Sequence, residues 1–261
     1  MKRNTFFDVP RSVQQTSEGP VELPILYRDV ANVLALFLVP HEGAEELLAG
    51  TGLVPDGTVG RRVLVALSFY EYRSTSIGIY NEVGTAIFAR MASEKPRMLA
   101  VADAFLPVAL RRNAAWVVDL PVTTAAANAA GREIWGYPKF VTDISFRLQG
   151  RNVETSVRDP GGTDDIVTLS GELGRGVPAP PIDLVTYTRL NNQLIRTHID
   201  VRGWQTLHAP GSVRLRVGAS EHRMAKNLRT LGLENAAPIA ITTTDRFQSK
   251  LPAGTNMGAS P

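Results

Sequence analysis

Long apolar runs alternate with short polar breaks along this chain, and the rhythm predicts many strands and few helices. Val30 to Val39 is almost continuously apolar, the pattern of a strand covered on both faces. Val63 to Tyr72 is rich in β-branched and aromatic residues and reads as a second strand. Ile77 to Arg90 reads as a third, with a bend at Gly84. A short strand is predicted over Trp116 to Leu120. Phe140 to Leu148, Asn152 to Arg158 and Ile166 to Leu173 predict a meander, with Asp159-Pro160-Gly161-Gly162 turning between the last two. Leu184 to Leu207 predicts one or two long strands, and Ile239 to Thr244 a last one. Between them, Val213-Arg214-Leu215-Arg216-Val217 alternates with a period of two.

Three segments carry helix signals instead. His41 to Gly50 contains Glu-Glu-Leu-Leu and ends on glycine. Thr123-Thr124 precedes an alanine-rich run, a reasonable start for a helix that ends near Gly136 ahead of Pro138. Met224, Leu228 and Leu231 recur at helical spacing within Glu221 to Leu231. Val177 to Pro181 holds three prolines and reads as a loop. Residues 1–20 are polar and aperiodic, an N-terminal arm, and residues 251–261 read as a flexible tail. Residues 21–250 contain neither a linker nor a repeat, so a single domain is expected. The fold class is mainly β (α+β): a barrel or sandwich with a few helices packed on it.

Composition narrows the function classes. With 261 residues, 44% hydrophobic, the chain can bury a sizeable core. A net charge of +3 is far from a nucleic-acid footprint, so no nucleic-acid partner is expected. There is no cysteine, which excludes disulfides, thiolate metal sites and cysteine nucleophiles. The N-terminus lacks a signal-peptide apolar run, and no run approaches the ~18 residues that span a bilayer. No membrane partner is therefore expected, and the location read from the sequence is cytoplasmic. Gly50-Thr51-Gly52 has Pro55 where a dinucleotide fingerprint needs its third glycine, so it reads as a turn. His41, His198, His208 and His222 show no metal-ligand spacing, and Asp159, Asp164 and Asp165 lack the calcium-loop pattern. No cofactor and no metal are expected.

One segment carries chemistry: Gly131-Arg132-Glu133-Ile134-Trp135-Gly136-Tyr137-Pro138-Lys139-Phe140. Only 5 of the 28 basic residues are lysines, so a lysine hemmed by Trp135, Tyr137 and Phe140 stands out. On an entering strand it can point into an apolar cavity, where desolvation favours the neutral amine, and a neutral amine adds to a ketone. It can equally snorkel to the surface. The residues by themselves leave both readings open. Trp135, Tyr137 and Phe140 are the candidates for lining a substrate pocket.

Gly-Arg-Glu, three residues, then Tyr-Pro-Lys resembles the active-site signature of the acetoacetate decarboxylase family. The resemblance implies that Lys139 carries a Schiff base. It extends to Glu82, in Tyr-Asn-Glu-Val-Gly, as the acid beside the amine, and to Arg28, in Tyr-Arg-Asp-Val, as an active-site arginine. Glu82 is expected to pair with Arg28 or to relay a proton. The resemblance further implies a closed cone-shaped β-barrel with peripheral helices, a homo-oligomer, and a small keto acid or aldehyde as the partner. Two positions depart from the pattern. Phe140 stands where the best-known members carry a second lysine. Val65-Ala66-Leu67-Ser68-Phe69 lacks their second glutamate. Decarboxylation of a β-keto acid such as acetoacetate is the leading expectation. Aldol or dehydration chemistry through the same iminium is the alternative, and a non-catalytic ligand-binding protein is the alternative of another class.

Overall fold

The computed structural model describes residues 5–95 and 106–259. In chain order the strands and helices begin with β1 (Ser12–Thr16), β2 (Gly19–Leu23), β3 (Ile25–Pro40), α1 (His41–Leu48) and β4 (Leu53–Pro55). They continue with β5 (Arg62–Thr75), β6 (Tyr80–Met91), β7 (Ala114–Asp119) and α2 (Ala125–Trp135). Then come β8 (Ile144–Gln149), β9 (Asn152–Arg158), β10 (Asp165–Glu172), β11 (Gly176–Ala179) and β12 (Leu184–Leu190). Strands β13 (Gln193–Arg202), β14 (Gln205–His208) and β15 (Arg214–Val217), helix α3 (Arg223–Thr230), and strands β16 (Ala240–Leu251) and β17 (Thr255–Ala259) complete the set.

Seven strands pair in the order β16-β3-β5-β6-β7-β12-β13, and β13 returns to β16, closing a barrel. All these neighbours are antiparallel except β7 and β12. A second sheet, β15-β10-β9-β8, lies outside the barrel. The doubly apolar run in β3 follows from this layout. Val33, Ala35, Phe37 and Val39 face outward into a core shared with Val157, Ile166 and Leu169 of the second sheet and Leu228 of α3. Asn32, Leu34 and Leu36 face the barrel cavity. Strand alternation gives each set its own layer, and each large side chain so buried contributes about 1.5–3 kcal/mol.

The three predicted helices and the closed barrel are present. Several local readings differ. Residues 1–20 are not wholly aperiodic: Ser12–Thr16 pairs with Gly19–Leu23 as a hairpin, while residues 1–4 lie outside the described set. The C-terminal tail likewise contains β17, which pairs with β13. Of the predicted proline loop, residues 177–179 belong to strand β11, paired with β14 at the end of the sheet, while Pro180 and Pro181 follow outside any strand. An edge position tolerates proline because one side of the strand needs no ladder donor. Leu184 to Leu207 divides into three strands, and β12 turns into β13 through Asn191 and Asn192 at φ 50 and 62. Positive φ at both central positions is the hairpin geometry that asparagine tolerates. No helix among the described residues is long and apolar enough to cross a membrane.

Candidate active site

The signature segment folds as a helix followed by an extended loop. Thr124 caps α2 by accepting a hydrogen bond from the Ala127 amide. The helix ends at Gly136, whose φ of 69 is left-handed, and a Cβ there would lie 2.1 Å from the Arg189 carbonyl oxygen. Only glycine satisfies both conditions. The chain then runs beside the stretch after β7. The Leu120 amide donates to the Pro138 carbonyl, and the Val122 amide donates to the Phe140 carbonyl. Lys139 thus sits in a pinned loop rather than on the predicted entering strand, which begins only at Ile144.

Each residue of the signature has a local task. Gly131 leaves room for the lysine, since a Cβ there would fall 2.2 Å from Lys139 Cε. Arg132 donates to the Lys139 carbonyl at 3.0 Å. Glu133 accepts from the Ser17 amide at 2.9 Å and from its hydroxyl, tying the β1–β2 hairpin to α2. Those bonds hold its carboxyl below the usual range. Trp135 is fully buried and donates from Nε1 to the Pro252 carbonyl at 2.9 Å.

The Lys139 side chain is 6% exposed and its Nζ is bonded directly to Glu82, itself buried. Tyr72 donates to the other oxygen of Glu82 at 3.1 Å. Around this pair gather five of the chain's 6 tyrosines: Tyr27, Tyr70, Tyr72, Tyr80 and Tyr137. The Tyr27 and Tyr80 hydroxyls are 3.2 Å apart, Tyr137 is bonded to Thr186 at 2.9 Å, and the Tyr80 ring lies 5.8 Å from Lys139 Nζ. Burial pushes every one of these phenols upward, Tyr70 to about 12 and the others further, and the charge of Glu82 adds to it. They are therefore neutral O–H donors throughout the working pH range.

The pair opens on a barrel cavity of about 340 Å³. Of the predicted pocket residues, Tyr137 lines it along with Lys139 and Glu82. Trp135 lies in the packed layer at the barrel end, among Val122, Ala130 and Leu251. Phe140 points the other way, 4.4 Å from the His222 ring, so the position of the missing second lysine does not face the cavity. Arg28 is exposed, with its guanidinium 6.0 Å from the Phe7 ring, and Glu82 pairs with Lys139 in its place. The physical reason is a register shift on either side of Asp29 in the β3–β5 ladder. It breaks strict alternation, so that Tyr27 lines the cavity while Arg28 turns out.

Sequence reasoning singled out Tyr137 but passed over the other four tyrosines, although Tyr27 and Tyr80 stand inside the very segments that carried the resemblance. Tyr70 and Tyr72 are two apart on one strand, the period that puts both on one face. It also missed one grouping of His198 with Asp183 and Asp200, at 3.1 and 3.4 Å. Lys250 lies 3.1 Å from Asp200 and supplies positive charge there, making this an ion-pair cluster on the β13–β16 seam.

The barrel thus holds a buried lysine–glutamate pair beside a phenol-lined, ligand-sized cavity, the arrangement of an enclosed small-molecule site. The sequence matches the family described as Acetoacetate decarboxylase (ADC) over residues 9–230, and the chain belongs to that family. Solved structures share the fold. An acetoacetate decarboxylase from Legionella pneumophila is 16% identical, covering 97% of this chain and 93% of that one, with a TM-score of 0.63. The enduracididine biosynthesis enzyme MppR, complexed with pyruvate, is 13% identical over 92% and 93%, at 0.64. An acetoacetate decarboxylase-like enzyme from Sphingomonas wittichii RW1 is 12% identical over 92% and 95%, at 0.62. No curated protein sequence matches the chain.

Proposed function

We propose that this protein is a lyase that decarboxylates a β-keto acid through a Schiff base on Lys139. The observation that carries the reading is the buried Lys139–Glu82 pair facing a largely apolar cavity. Glu82 takes the proton from Lys139, and the freed Nζ lone pair adds to the ketone carbon. The carbinolamine loses water to give an iminium. The carbon–carbon bond to the carboxylate then breaks, its electron pair moves into the iminium to form an enamine, and carbon dioxide leaves. Reprotonation of the enamine carbon and hydrolysis release the ketone and restore the amine. The neutral phenols are donors for the carbonyl or carboxylate oxygens. Arg28 has no part in this reading, since its side chain is outside the cavity.

A specific observation favours a second reading of the same iminium. Glu82 is the one carboxylate at the lysine end of the cavity wall among the described residues. The inward positions of β5 there are Ser68, Tyr70 and Tyr72. A site with one carboxylate and several phenols also suits aldol addition or dehydration, and the MppR structures include one complexed with a condensation product of pyruvate and an aldehyde. Borohydride reduction in the presence of acetoacetate or pyruvate is expected to leave a mass adduct on Lys139, absent in Lys139→Arg. Failure to trap any keto acid or aldehyde sinks both readings. An adduct without carbon dioxide release decides for the second. Self-association is part of the same proposal, supported by the exposed cross-strand partners Val177 and Leu207 and by the exposed Trp204. Sedimentation showing only a monomer would remove it.

A further inference from the structure

The cavity wall changes character along its length. From the lysine end, β5 presents Tyr72, Tyr70, Ser68, Ala66 and Leu64 in turn. Strand β6 presents Glu82, Gly84, Ala86 and Phe88, and β3 presents Asn32, Leu34 and Leu36. All three adjacent strands therefore run from hydrogen-bonding groups to purely apolar ones in the same direction. Ala66 and Ala86 are direct cross-strand partners, so two of the smallest side chains face the space midway. The six steps from Glu82 to Phe88 correspond to roughly 20 Å of strand. On β7 the wall stays apolar through Val117 and Ala115, while Thr242, the ladder partner of Leu34, and Thr186, the partner of Ala115, add single hydroxyls, and Asn113, Arg111, Asp183 and Gln205 also line the cavity.

Such a wall is out of proportion to a four-carbon acid. A cavity of about 340 Å³ falls in the range of sites that enclose ligands larger than a four-carbon acid. A carbonyl bound at Lys139 places one substituent among the phenols and leaves the other facing the alanines, Leu64 and Phe88. Resting on the Schiff-base reading above, we infer that the substrate is a medium-chain β-keto acid, its unbranched alkyl tail lying along the apolar length of the barrel.

The test uses the whole protein and a series of straight-chain methyl ketones from acetone to 2-nonanone, reduced with borohydride and mapped by peptide mass. Ketones are used because iminium formation with them does not depend on which carbon bond later breaks. The concentration for half-maximal labelling of Lys139 is expected to fall roughly fourfold per methylene until the cavity is full, the factor that burying one CH2 supplies. Labelling of exposed Lys226 serves as the control and is expected to be independent of chain length. A flat or rising series at Lys139, with adducts still forming, overturns the medium-chain assignment and leaves the lysine reading standing. No adduct with any ketone overturns both.

Discussion

Gly131 shows how much of the site depends on an atom that is missing. A helix interior ordinarily gains about 1 kcal/mol when glycine becomes alanine. Here the added methyl would lie within 2.4 Å of both Lys139 Cδ and Cε. The stem of a lysine is the yielding partner, so the clash moves the amine rather than the backbone. Gly131→Ala is therefore expected to melt within a few degrees of the parent protein while labelling of Lys139 by acetone and borohydride slows at least about tenfold. Unchanged labelling in a folded variant would mean that the stem has another resting place. The same residue-scale logic separates Lys139 from Arg28. Lys139 is buried with a single carboxylate partner, as the proposed nucleophile requires, whereas Arg28, equally cationic, is exposed and lies outside the cavity.

The elements of the fold were largely legible because each had a cause local in sequence. Thr124 and Gly136 mark both ends of α2, and the Asp159 turn and the period-two run at Val213–Val217 are as read. What stayed hidden depends on contacts distant in sequence. The bulge around Asp29 reverses which side chains enter the barrel, and no pattern within Tyr27-Arg28-Asp29 announces it. Strand β11 is a strand only because β14 pairs with it, and the tyrosine cluster exists only because β3, β5, β6 and the α2 loop converge. The docking of α3 on the barrel is another such contact. Asp119, with no exposed surface, accepts from Asn227 at 2.8 Å and Arg223 at 3.1 Å. Burial outweighs those bonds and lifts its carboxyl to about 6. The folded state therefore binds this proton more tightly than the unfolded chain does. The stability it contributes is present at acid pH and is lost as pH rises from about 4 through 6. Asp119→Asn, with Asn227 free to turn its amide, should gain on the parent by up to about 3 kcal/mol between those limits. Urea unfolding of both proteins at pH 4.5 and pH 7.5 measures this, and an equal gap at the two pH values would refute it.

At the scale of the whole molecule, the barrel is closed unevenly, and that bears on how a substrate reaches a buried amine. Strands β3 and β5 pair from Tyr27 with Thr75 to Pro40 with Arg62, and their outward faces lie beneath the second sheet and α3. The closing seam is short: β13 meets β16 only over Asp200–Arg202 against Gln248–Lys250. Its side chains on the cavity side include Val201 and Ser249, while Asp200 and Lys250 join His198 and the neighbouring Asp183 in a partly exposed cluster. Local opening follows the regions with fewest buried apolar contacts and shortest ladders. Partly exposed ion pairs hold such a seam weakly, and salt screens them further. Amide hydrogen exchange is expected to be faster along Asp200–Arg202 and Gln248–Lys250 than along Val33–Val39. Raising the salt from 0.05 to about 0.5 M should widen the difference, because the Debye length shortens to a few ångströms. A medium-chain ketone reduced onto Lys139 should slow exchange at the seam through its contacts with the cavity face of Val201, leaving the β3–β5 ladder unchanged. Equal exchange in the two regions would show instead that the barrel opens as a unit, and that the route to Lys139 lies elsewhere.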